Sequence, residues 1–457
     1  MEKPWLQFYD PHVPPNLEYP AWSLPQILDD AAKRSPEKLA IFFFGGKLSY
    51  GALQRHVNHF ACALNQVGFR RGDPLGIILP NMPQTIISAY GALKAGGVVS
   101  LFDPLAEQEE LERQLEAAKV ETLVVLDLVL PRVEPLLPKL KLRGLIVTGV
   151  KDFLPPLRGF LFNLAARGKG MNVKVARKTN LCPFPEFLRI APADRVLPEE
   201  ETGKPEDEAV VLYTRGTSGS PNAVRLTHQN LMASLFQTAA WFGQPEKEGE
   251  TFLSVLPFHH SFGFTLAMNL PIFLGASSIY LPRYELAQVL SMAKSHPISF
   301  FPALPKMIEH LATYPDLAKY RIPAIRTFWS IGGMLEEEEK RRFEQRTGRK
   351  VMTGYGLSEA CAFTHANPFA GTGKPGSIGV PLPDTEAKIV RPEEPDRDLP
   401  VGEVGEMILR GPQVKKGYGK SSGKTPPSLQ EGWLQTRDLA RMDEDGFFYI
   451  QGRKGRS

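Results

Sequence analysis

The sequence is poor in cysteine and in net charge, and each shortage excludes a class of protein. Its 457 residues include three cysteines at wide spacing, Cys62, Cys182 and Cys361. This usage indicates a reducing compartment such as the cytoplasm and excludes a disulfide framework or a structural zinc site. The formal net charge of +4 is small for this length. We therefore predict no nucleic-acid partner.

Long apolar runs are also missing, apart from one stretch without charge. The amino terminus has no apolar core of the signal-peptide type. Residues 261–282 carry no charged side chain, but Asn269, Pro271 and Gly275 interrupt them. We expect a buried helix followed by a buried strand there, rather than a membrane span.

Two further absences concern repeats and phosphate-binding motifs. No internal repeat of about 20 to 50 residues is visible, and the Walker A pattern GxxxxGK[ST] does not occur. What the chain does contain is alternation. Apolar runs such as Leu75–Leu79 and Val98–Phe102 alternate with helical patterns, which predicts parallel sheets with helices on their faces. From Gly376 onward, short alternating runs predict antiparallel strands.

Two segments depart from this alternation. Residues 1–24 are rich in proline and aromatic side chains and are predicted to form an extended arm across the surface. Residues 153–185 contain no acidic residue, several lysines and arginines, and an apolar patch at Gly159–Leu164. Two interpretations of this second segment stay open. It is a solvated loop beside a short core helix, or a basic, partly amphipathic contact with an anionic membrane surface.

A loop of small and hydroxyl-bearing residues follows the apolar run Ala209–Tyr213. Glycines let a backbone approach a ligand closely, and hydroxyls and free amides can hold phosphate oxygens. The composition is compatible with phosphate binding and also with an ordinary flexible turn. The helical pattern resumes after Thr227-His228. The residues of this loop are Thr214, Gly216, Thr217, Ser218, Gly219 and Ser220.

The order of residues in this loop resembles the Y-T-S-G-T-T-G-x-P-K-G motif of the adenylate-forming superfamily. That superfamily includes acyl-CoA synthetases, firefly luciferase and peptide-synthetase adenylation domains. Three positions depart from the motif: Arg215 replaces serine, Asn222 replaces lysine and Ala223 replaces glycine. The family lysine supplies positive charge near the outer phosphates, so one hypothesis is that Arg215 restores that charge. The alternative is that Arg215 faces solvent or pairs with a carboxylate.

Four further segments resemble motifs of the same superfamily, in the same order along the chain. Leu256–His260 is similar to L-P-x-x-H, and Gly332–Met334 to the small turn that lies against adenine. Thr353–Glu359 contains a match to Y-G-x-T-E, with Ser358 in place of threonine. Gly432–Asp438, with the later Gly452-Arg453, is similar to W-x-x-T-G-D and D-G-x-x-x-x-x-G-R, except that Arg437 replaces a glycine. Tyr19-Pro20, Leu48–Tyr50 and Leu79–Gln84 also resemble long-chain fatty acyl-CoA synthetases.

The resemblance implies a role for each matching residue. His260 would orient the carboxylate substrate, and Phe262, Gly263 and Gly332 would line the acyl site. Glu359 would hold Mg²⁺ against the phosphates, and Asp438 would accept hydrogen bonds from both ribose hydroxyls. Thr217 would act in catalysis with His260 and Glu359. The other nucleotide-binding residues implied are Thr214, Arg215, Gly216, Ser218, Gly219, Gly333, Met334, Gly354, Tyr355, Gly356, Ser358 and Arg453.

The resemblance also implies a fold of the α/β class. A large N-terminal adenylation domain would contain two helix-flanked, mainly parallel β-sheets in a layered αβαβα arrangement, plus a distorted antiparallel β-barrel. Residues 1–451 would form this AMP-binding domain and residues 452–457 a hinge stub, with the C-terminal lid domain missing.

The reaction implied has two steps. A carboxylate attacks the α-phosphate of ATP with Mg²⁺ to give acyl-AMP, and in the complete enzyme the thiol of coenzyme A then displaces AMP. A fatty carboxylate is already ionised at neutral pH, so the first step needs no general base. The partners would be a long-chain fatty acid, ATP and CoA. The location would be cytoplasmic or peripheral at the inner face of the membrane, and a homodimer is also allowed.

Two other functions stay open on the sequence alone. The chain is a non-catalytic nucleotide- or acyl-binding homologue if Asn222, Arg215 and Arg437 abolish the chemistry. It is an adenylating enzyme for another carboxylic acid, such as an aryl acid, if the acyl site differs.

Overall fold

The chain folds into two units, each built from segments that are distant in sequence. The computed structural model describes residues 3–159, 181–192, 197, 202–214, 222–243, 249–371, 373–415 and 432–454. Unit 1 combines Met1–Pro20, Gln229–Leu256 and Tyr284–Ser457, whereas unit 2 combines Ala21–His228 and Pro257–Arg283.

Several described helices begin at a capping residue or at a proline in the first turn. Ser49 accepts a hydrogen bond at its side-chain oxygen from the Ala52 N–H (3.3 Å) and so caps the helix that begins at Tyr50, and another helix begins at Pro83. The α-helices are α1 Gln26–Arg34, α2 Tyr50–Gln66, α3 Pro83–Lys94, α4 Gln108–Ala118, α5 Leu130–Val133, α6 Phe184–Phe187, α7 His228–Phe242, α8 Leu270–Phe273, α9 Leu286–Ser295, α10 Pro305–Thr313 and α11 Glu337–Thr347.

The described strands follow most of the apolar runs in the sequence. They are β1 Leu39–Phe43, β2 Gly46–Ser49, β3 Pro74–Ile78, β4 Val98–Leu101, β5 Thr122–Leu126, β6 Gly144–Thr148, β7 Leu181–Pro183, β8 Glu208–Thr214, β9 Asn222–Thr227, β10 Thr251–Ser254, β11 Ser277–Tyr280, β12 Phe300–Ala303, β13 Thr327–Ser330, β14 Val351–Tyr355, β15 His365–Ala366, β16 Val380–Pro381, β17 Glu386–Arg391, β18 Glu394–Asp398, β19 Gly405–Arg410, β20 Leu434–Met442 and β21 Phe448–Arg453.

Unit 2 contains a seven-stranded sheet with the order β7-β6-β5-β3-β4-β8-β9. All neighbours in this sheet are parallel except β8 and β9, which form an antiparallel pair. In the same unit, β1 pairs in parallel with β11 and antiparallel with β2. Parallel strands linked by helices confirm the α/β class predicted from the alternation.

The uncharged stretch forms buried secondary structure in unit 2. A π-helix over Gly263–Asn269 continues into α8, and β11 follows. All seven residues of the π-helix are buried, which confirms the expectation of a buried helix followed by a buried strand. Within the described ranges, no helix is long and apolar enough to cross a membrane.

Unit 1 contains strands in the order β16-β15-β14-β13-β12-β10, parallel from β10 to β14. A second sheet, with the order β18-β17-β19-β20-β21, is antiparallel throughout. This confirms the antiparallel strands predicted after Gly376. Among the described residues, the part of the chain expected to form a distorted antiparallel barrel is this antiparallel sheet, and no pairing between β18 and β21 closes it. Edge strand β18 carries Glu394, Pro395 and further charged residues, which disfavour pairing on its free side.

The amino-terminal arm is anchored rather than laid across the surface. Pro4–Phe8 forms a 3₁₀ helix, and the side chain of Trp5 is 1% exposed. The ring of Trp5 contacts that of Phe448 edge to face, with centroids 6.4 Å apart. Asp10 is also buried and accepts hydrogen bonds from three consecutive backbone N–H groups at 2.7 to 2.9 Å. The arm is therefore a core element of unit 1, because one tryptophan buries a large apolar area.

One buried histidine couples the stability of unit 2 to pH. His228 is 0% exposed, and its Nδ1 accepts the Leu24 N–H at 3.0 Å. Burial lowers the pKa of His228 to about 4. The unfolded chain, with a histidine pKa of about 6.5, thus binds the proton first as the pH falls. The stability that the neutral imidazole contributes is complete above about pH 6.5 and is lost progressively toward about pH 4.

We therefore expect acid to weaken the fold through His228. The free energy of unfolding should fall by about 2 kcal/mol between about pH 7.5 and about pH 5 from this residue alone. In urea titrations, the stability of His228→Asn should depend less on acid, because an amide does not titrate in this pH range. The amide oxygen can still accept the Leu24 N–H, but the variant should be less stable than the parent at neutral pH. His310→Asn is the control and should keep the parent slope. Equal slopes in all three proteins would contradict the assignment.

Candidate functional site

The hydroxyl-rich loop connects two antiparallel strands. Thr214 ends β8 and faces Asn222, which begins β9. Sequence analysis missed β9, although Val224 and Leu226 are buried and alternate with exposed or half-buried neighbours. Thr214 and Asn222 are thus placed at the mouth of the loop. The predicted residues Arg215, Gly216, Thr217, Ser218 and Gly219 lie outside the described part of the chain.

The carboxyl ends of two neighbouring parallel strands position the predicted adenine contacts in unit 1. β13 pairs in parallel with β14, with Ser330 opposite Thr353. Gly332 follows the first strand in a left-handed conformation (φ +76°), and Tyr355 ends the second. Because parallel strands end at the same edge of a sheet, the turn Gly332–Met334 and the segment Gly354–Gly356 lie at that edge, where ligands bind in open α/β sheets.

Tyr355 and Asp438 contact each other directly. The hydroxyl of Tyr355 donates a hydrogen bond to Asp438 Oδ2 at 2.5 Å. Arg453 lies opposite Asp438 in the β20–β21 pairing, with its guanidinium 3.4 Å from Oδ1. Burial raises the pKa of Tyr355 and the negative Asp438 raises it further, so the phenol stays a neutral donor. Three predicted nucleotide-binding residues from distant segments therefore form one cluster.

Arg437, where the superfamily motif has glycine, adopts a glycine-like conformation. Its φ is +64°, in the left-handed region that favours glycine. Its backbone N–H donates to Glu406 Oε1 at 3.0 Å, and the Asp438 N–H donates to Thr436 Oγ1 at 3.0 Å. These bonds hold the turn in place, so the substitution leaves Asp438 in contact with Tyr355.

Backbone packing is very close around Gly354 and Gly356. A Cβ atom on Gly356 would lie 1.3 Å from the carbonyl oxygen of Ala362. A Cβ atom on Gly354 would lie 2.4 Å from the ring of Phe363. Both glycines flank Tyr355, so the absence of a side chain on either side lets the tyrosine occupy its observed position.

Glu359 lies in a short 3₁₀ helix, Ser358–Ala360, immediately after this segment. Its carbonyl oxygen accepts the Lys415 N–H at 3.0 Å. Among the described residues no group of three or more His, Cys, Asp or Glu side chains could hold a metal. One half-buried carboxylate fits Mg²⁺, which proteins often bind through one or two carboxylates together with substrate phosphates.

Lys415 is a residue of this site that sequence analysis missed. It is 1% exposed, and burial lowers its pKa to about 7 while the nearby Glu359 carboxylate acts in the opposite direction. Asn230 holds the same segment by donating to the carbonyl oxygens of Pro412 and Val414 at 2.9 and 3.1 Å. The sequence offers one signal for this residue, a lysine directly after the apolar Val414. The same pair of residues is equally typical of an exposed loop.

Unit 2 positions the histidines of the L-P-x-x-H segment. His260 is exposed and lies three residues before the π-helix, and its carbonyl accepts the Phe264 N–H at 2.8 Å. His259 is the more buried of the two, and its Nε2 lies 3.8 Å from Asp103 Oδ2. Burial, together with the neighbouring His260, lowers the pKa of His259 to about 4. The sequence-based choice of His260 over His259 stays a prediction.

Phe262 and Gly263 lie next to these histidines in the same unit. Phe262 is half-buried and caps the π-helix, and Gly263 is its first residue. Single π-helical segments occur frequently at functional sites. The hydrogen bond from the Phe258 N–H to Asn81 Oδ1 (3.0 Å) ties this segment to the end of β3. The role of Phe262 and Gly263 in the acyl site stays a prediction.

Comparison with known proteins gives consistent matches over nearly the whole chain. The model of the AMP-binding enzyme family matches residues 28–419. A long-chain-fatty-acid–CoA ligase of Bacillus subtilis is 38% identical over 453 residues, which cover 99% of this chain and 80% of that protein. A long-chain-fatty-acid–CoA ligase of Salmonella typhimurium is 29% identical over 459 residues, 99% of this chain and 81% of that protein.

Solved structures show the same fold at low sequence identity. The structure of an anthranilate CoA ligase in complex with anthranoyl-AMP has a TM-score of 0.82 at 21% identity, covering 96% of this chain and 79% of that one. A long-chain-fatty-acid–CoA ligase from Archaeoglobus fulgidus has a TM-score of 0.80 at 23% identity, covering 98% and 86%.

Proposed function

The chain belongs to the AMP-binding enzyme family, and from that premise we propose that it activates a long-chain fatty acid. ATP and the carboxylate would give acyl-AMP and pyrophosphate, and CoA would then displace AMP to give acyl-CoA. The observation that carries the proposal is the 38% identity to a long-chain-fatty-acid–CoA ligase over 99% of this chain. The cluster of Tyr355, Asp438 and Arg453 supports the nucleotide part of it.

The nucleotide would bind along the carboxyl edge of the unit 1 sheet. Its adenine would pack on Tyr355 and against the backbone of the turn Gly332–Met334, and Gly332 would also line the acyl site. The ribose hydroxyls would donate to Asp438, which keeps acceptor capacity beyond its bonds to Tyr355 and Arg453, because a carboxylate has about four acceptor sites. Positioning of the carboxylate against the α-phosphate and stabilisation of the charge that develops at phosphorus would then supply most of the rate acceleration.

The phosphates would be held by the hydroxyl-rich loop and by one carboxylate. Thr217 and the neighbouring loop residues would donate to phosphate oxygens. Glu359 would hold Mg²⁺, which when bound neutralises negative charge on the phosphates as the leaving group departs. Lys415, buried beside Glu359 with a pKa of about 7, would add a positive charge to the same region in its protonated form. His260, Phe262 and Gly263 would orient and enclose the carboxylate end of the fatty acid.

The domain assignment is part of the same proposal. Residues 1–451 would form the AMP-binding domain, and residues 452–457 would belong to a hinge. The family match over residues 28–419 lies within the proposed domain.

A direct test is the detection of acyl-AMP by mass spectrometry. The chain is incubated with ATP, Mg²⁺ and separate fatty acids of short, medium and long chain, with benzoate and anthranilate as aryl acids. Acyl-AMP from the long-chain acids supports the proposal. Adenylate from aryl acids alone would reassign the substrate, and no adenylate from any acid would make the chain a non-catalytic homologue.

Arg215 gives a specific prediction about ATP affinity. Asn222 is neutral where the superfamily motif has lysine, and Arg215 could restore the charge with a guanidinium that grips phosphate oxygens. Calorimetry on Arg215→Ser should then show about tenfold weaker ATP binding, which corresponds to about 1.4 kcal/mol. Adding Asn222→Lys should rescue it. ATP binding by Arg215→Ser that equals the parent's would reject compensation.

We also propose that unit 2 touches anionic lipid, at the inner face of the membrane. The described part of the basic segment exposes Leu157 (72% exposed), and Phe44 at the tip of the β1–β2 hairpin is 38% exposed. Arg158 donates to the Phe44 carbonyl at 2.9 Å, so apolar and basic groups share one surface. Residues 160–180, which contain most of the predicted basic segment, lie outside the described chain.

Liposome co-sedimentation should detect this contact. Each well-placed basic residue near an anionic surface contributes about 1 kcal/mol, so pelleting should fall as salt rises. Leu157→Asp should reduce pelleting with anionic vesicles, whereas Val67→Asp, the same change at another exposed apolar residue of unit 2, should not. Equal pelleting with neutral and anionic vesicles would rule the contact out.

A further inference from the structure

A basic cavity lies at the amino edge of the unit 1 sheet, away from the residues assigned to the nucleotide. Its volume is about 390 Å³, and Arg321, Arg326 and Arg349 line it together with Ser299 and Gly249. Four of these residues lie one or two positions before the first residue of strands β10, β12, β13 and β14, and Arg321 lies six positions before β13. Gly332 and Tyr355 follow the other ends of β13 and β14, so the two regions lie at opposite edges of one sheet.

Two of the three arginines are held in place by contacts within unit 1. Arg349 donates from Nε to the Pro323 carbonyl at 2.7 Å, which leaves its terminal nitrogens as the donors for a ligand. Arg326 contacts Glu250 at 2.6 Å, and its guanidinium lies over the ring of Phe300 at 5.1 Å. Fixed guanidinium groups lose little entropy when they bind an anion.

Among the described residues, three arginines line this cavity and one carboxylate, that of Glu250, pairs with them. Glu250 is paired with Arg326. Among the described residues, no carboxylate lies within ion-pair distance of Arg321 or Arg349. Arg321 also has a left-handed backbone (φ +57°), a conformation rare for arginine, and its carbonyl accepts the Ala324 N–H at 2.9 Å. Unneutralised like charges around one concavity repel each other, and an anion bound between them would remove that repulsion.

We propose that this cavity binds a small phosphate-bearing anion, as a second site separate from the nucleotide site. Guanidinium groups form paired hydrogen bonds with phosphate oxygens, and several together suit a multiply charged phosphate better than a single carboxylate. The volume exceeds that of one phosphate and falls in the range of pockets for small organic ligands. The ligand class is therefore a phosphate ester or a pyrophosphate, free or as the headgroup of a lipid.

The test is calorimetry with pyrophosphate while a non-hydrolysable ATP analogue saturates the nucleotide site. The parent chain is expected to bind about one pyrophosphate, more weakly as salt rises. Arg321→Gln with Arg349→Gln should weaken this binding at least tenfold. Arg341→Gln, an exposed arginine of α11 that pairs with Glu337, is the matched control and should bind as the parent does. Acyl-AMP formation should be the same in all three proteins without pyrophosphate.

A second arm separates the two sources of phosphate. Flotation with vesicles containing phosphatidic acid should show the same dependence on Arg321 and Arg349 if the ligand is a lipid headgroup, and no such dependence if it is a free phosphate compound. If the double variant folds poorly by circular dichroism, the exposed Arg321→Gln alone is used. Equal binding of parent and variant in both arms, or binding in neither, would overturn the proposal.

Discussion

Glu359→Gln should lower the rate of acyl-AMP formation by about 10²–10³-fold, with the fold retained. The substitution replaces the carboxylate assigned to Mg²⁺ by a neutral amide of nearly the same shape. A preorganised charge that acts on developing phosphate charge typically contributes about 3 to 4 kcal/mol to catalysis. The backbone bond from the Lys415 N–H to Glu359 is independent of the side chain and should survive.

Single-turnover formation of acyl-AMP, measured as Mg²⁺ is varied, is the decisive assay for Glu359. Glu359→Gln should need more Mg²⁺ and reach a lower maximal rate. Glu338→Gln removes an exposed carboxylate from α11 in the same unit and should leave both quantities at parental values. Parental rates and parental Mg²⁺ dependence in Glu359→Gln would refute the metal assignment.

Among substitutions that add one methyl group in unit 1, Gly356→Ala should lower the free energy of unfolding most. Its Cβ would lie 1.3 Å from the Ala362 carbonyl oxygen, far inside any contact distance, so the backbone must move. We expect a loss of about 3 kcal/mol or more in the free energy of unfolding. Tyr355 is the adjacent residue, and a shift of about 1 Å in a positioning group can cost about 10²-fold in rate.

Two other variants separate these effects. Gly144→Ala places a Cβ 3.7 Å from the Thr122 side chain, an ordinary contact, and should change the unfolding free energy by about 1 kcal/mol or less. Tyr355→Phe removes the hydrogen bond to Asp438 without any steric change and should weaken ATP binding while stability falls little. Gly356→Ala with parental stability and parental ATP affinity would show that the close packing is relieved without consequence.

The sequence predicted the elements whose apolar pattern is local. β4 matches the predicted apolar run Val98–Phe102 to within one residue, because its side chains after Val98 are all buried. β9 was not predicted because its alternating pattern has only two buried apolar residues, Val224 and Leu226, and directly follows a run of turn-forming residues. The burial of Trp5 was missed for another reason: its contact with Phe448 lies at the other end of the chain, and no local pattern reports it.

In the candidate site, too, local motifs were recognised from the sequence and contacts between distant segments were not. Superfamily motifs named Tyr355, Asp438 and Arg453 as separate nucleotide contacts, each from its own segment. They did not predict the direct hydrogen bond between Tyr355 and Asp438, which are 83 positions apart. Nor did they indicate Lys415, because a lysine acquires meaning only once its burial is known. Residue types with a shared local motif can be recognised from sequence, whereas contacts between distant segments require the fold.

The anchored arm sets an order of events during synthesis. Unit 2 is complete once residue 283 has left the ribosome, but Trp5 and Asp10 must wait for partners near positions 448 and 370. Trp5 and Asp10 are thus made early but are among the last residues to reach their partners, because the closure of so long a loop is slow. Until then an apolar tryptophan stays exposed on the nascent chain, where chaperones bind and aggregation begins. An amino-terminal fusion partner would therefore burden the late assembly of unit 1 more than the early folding of unit 2.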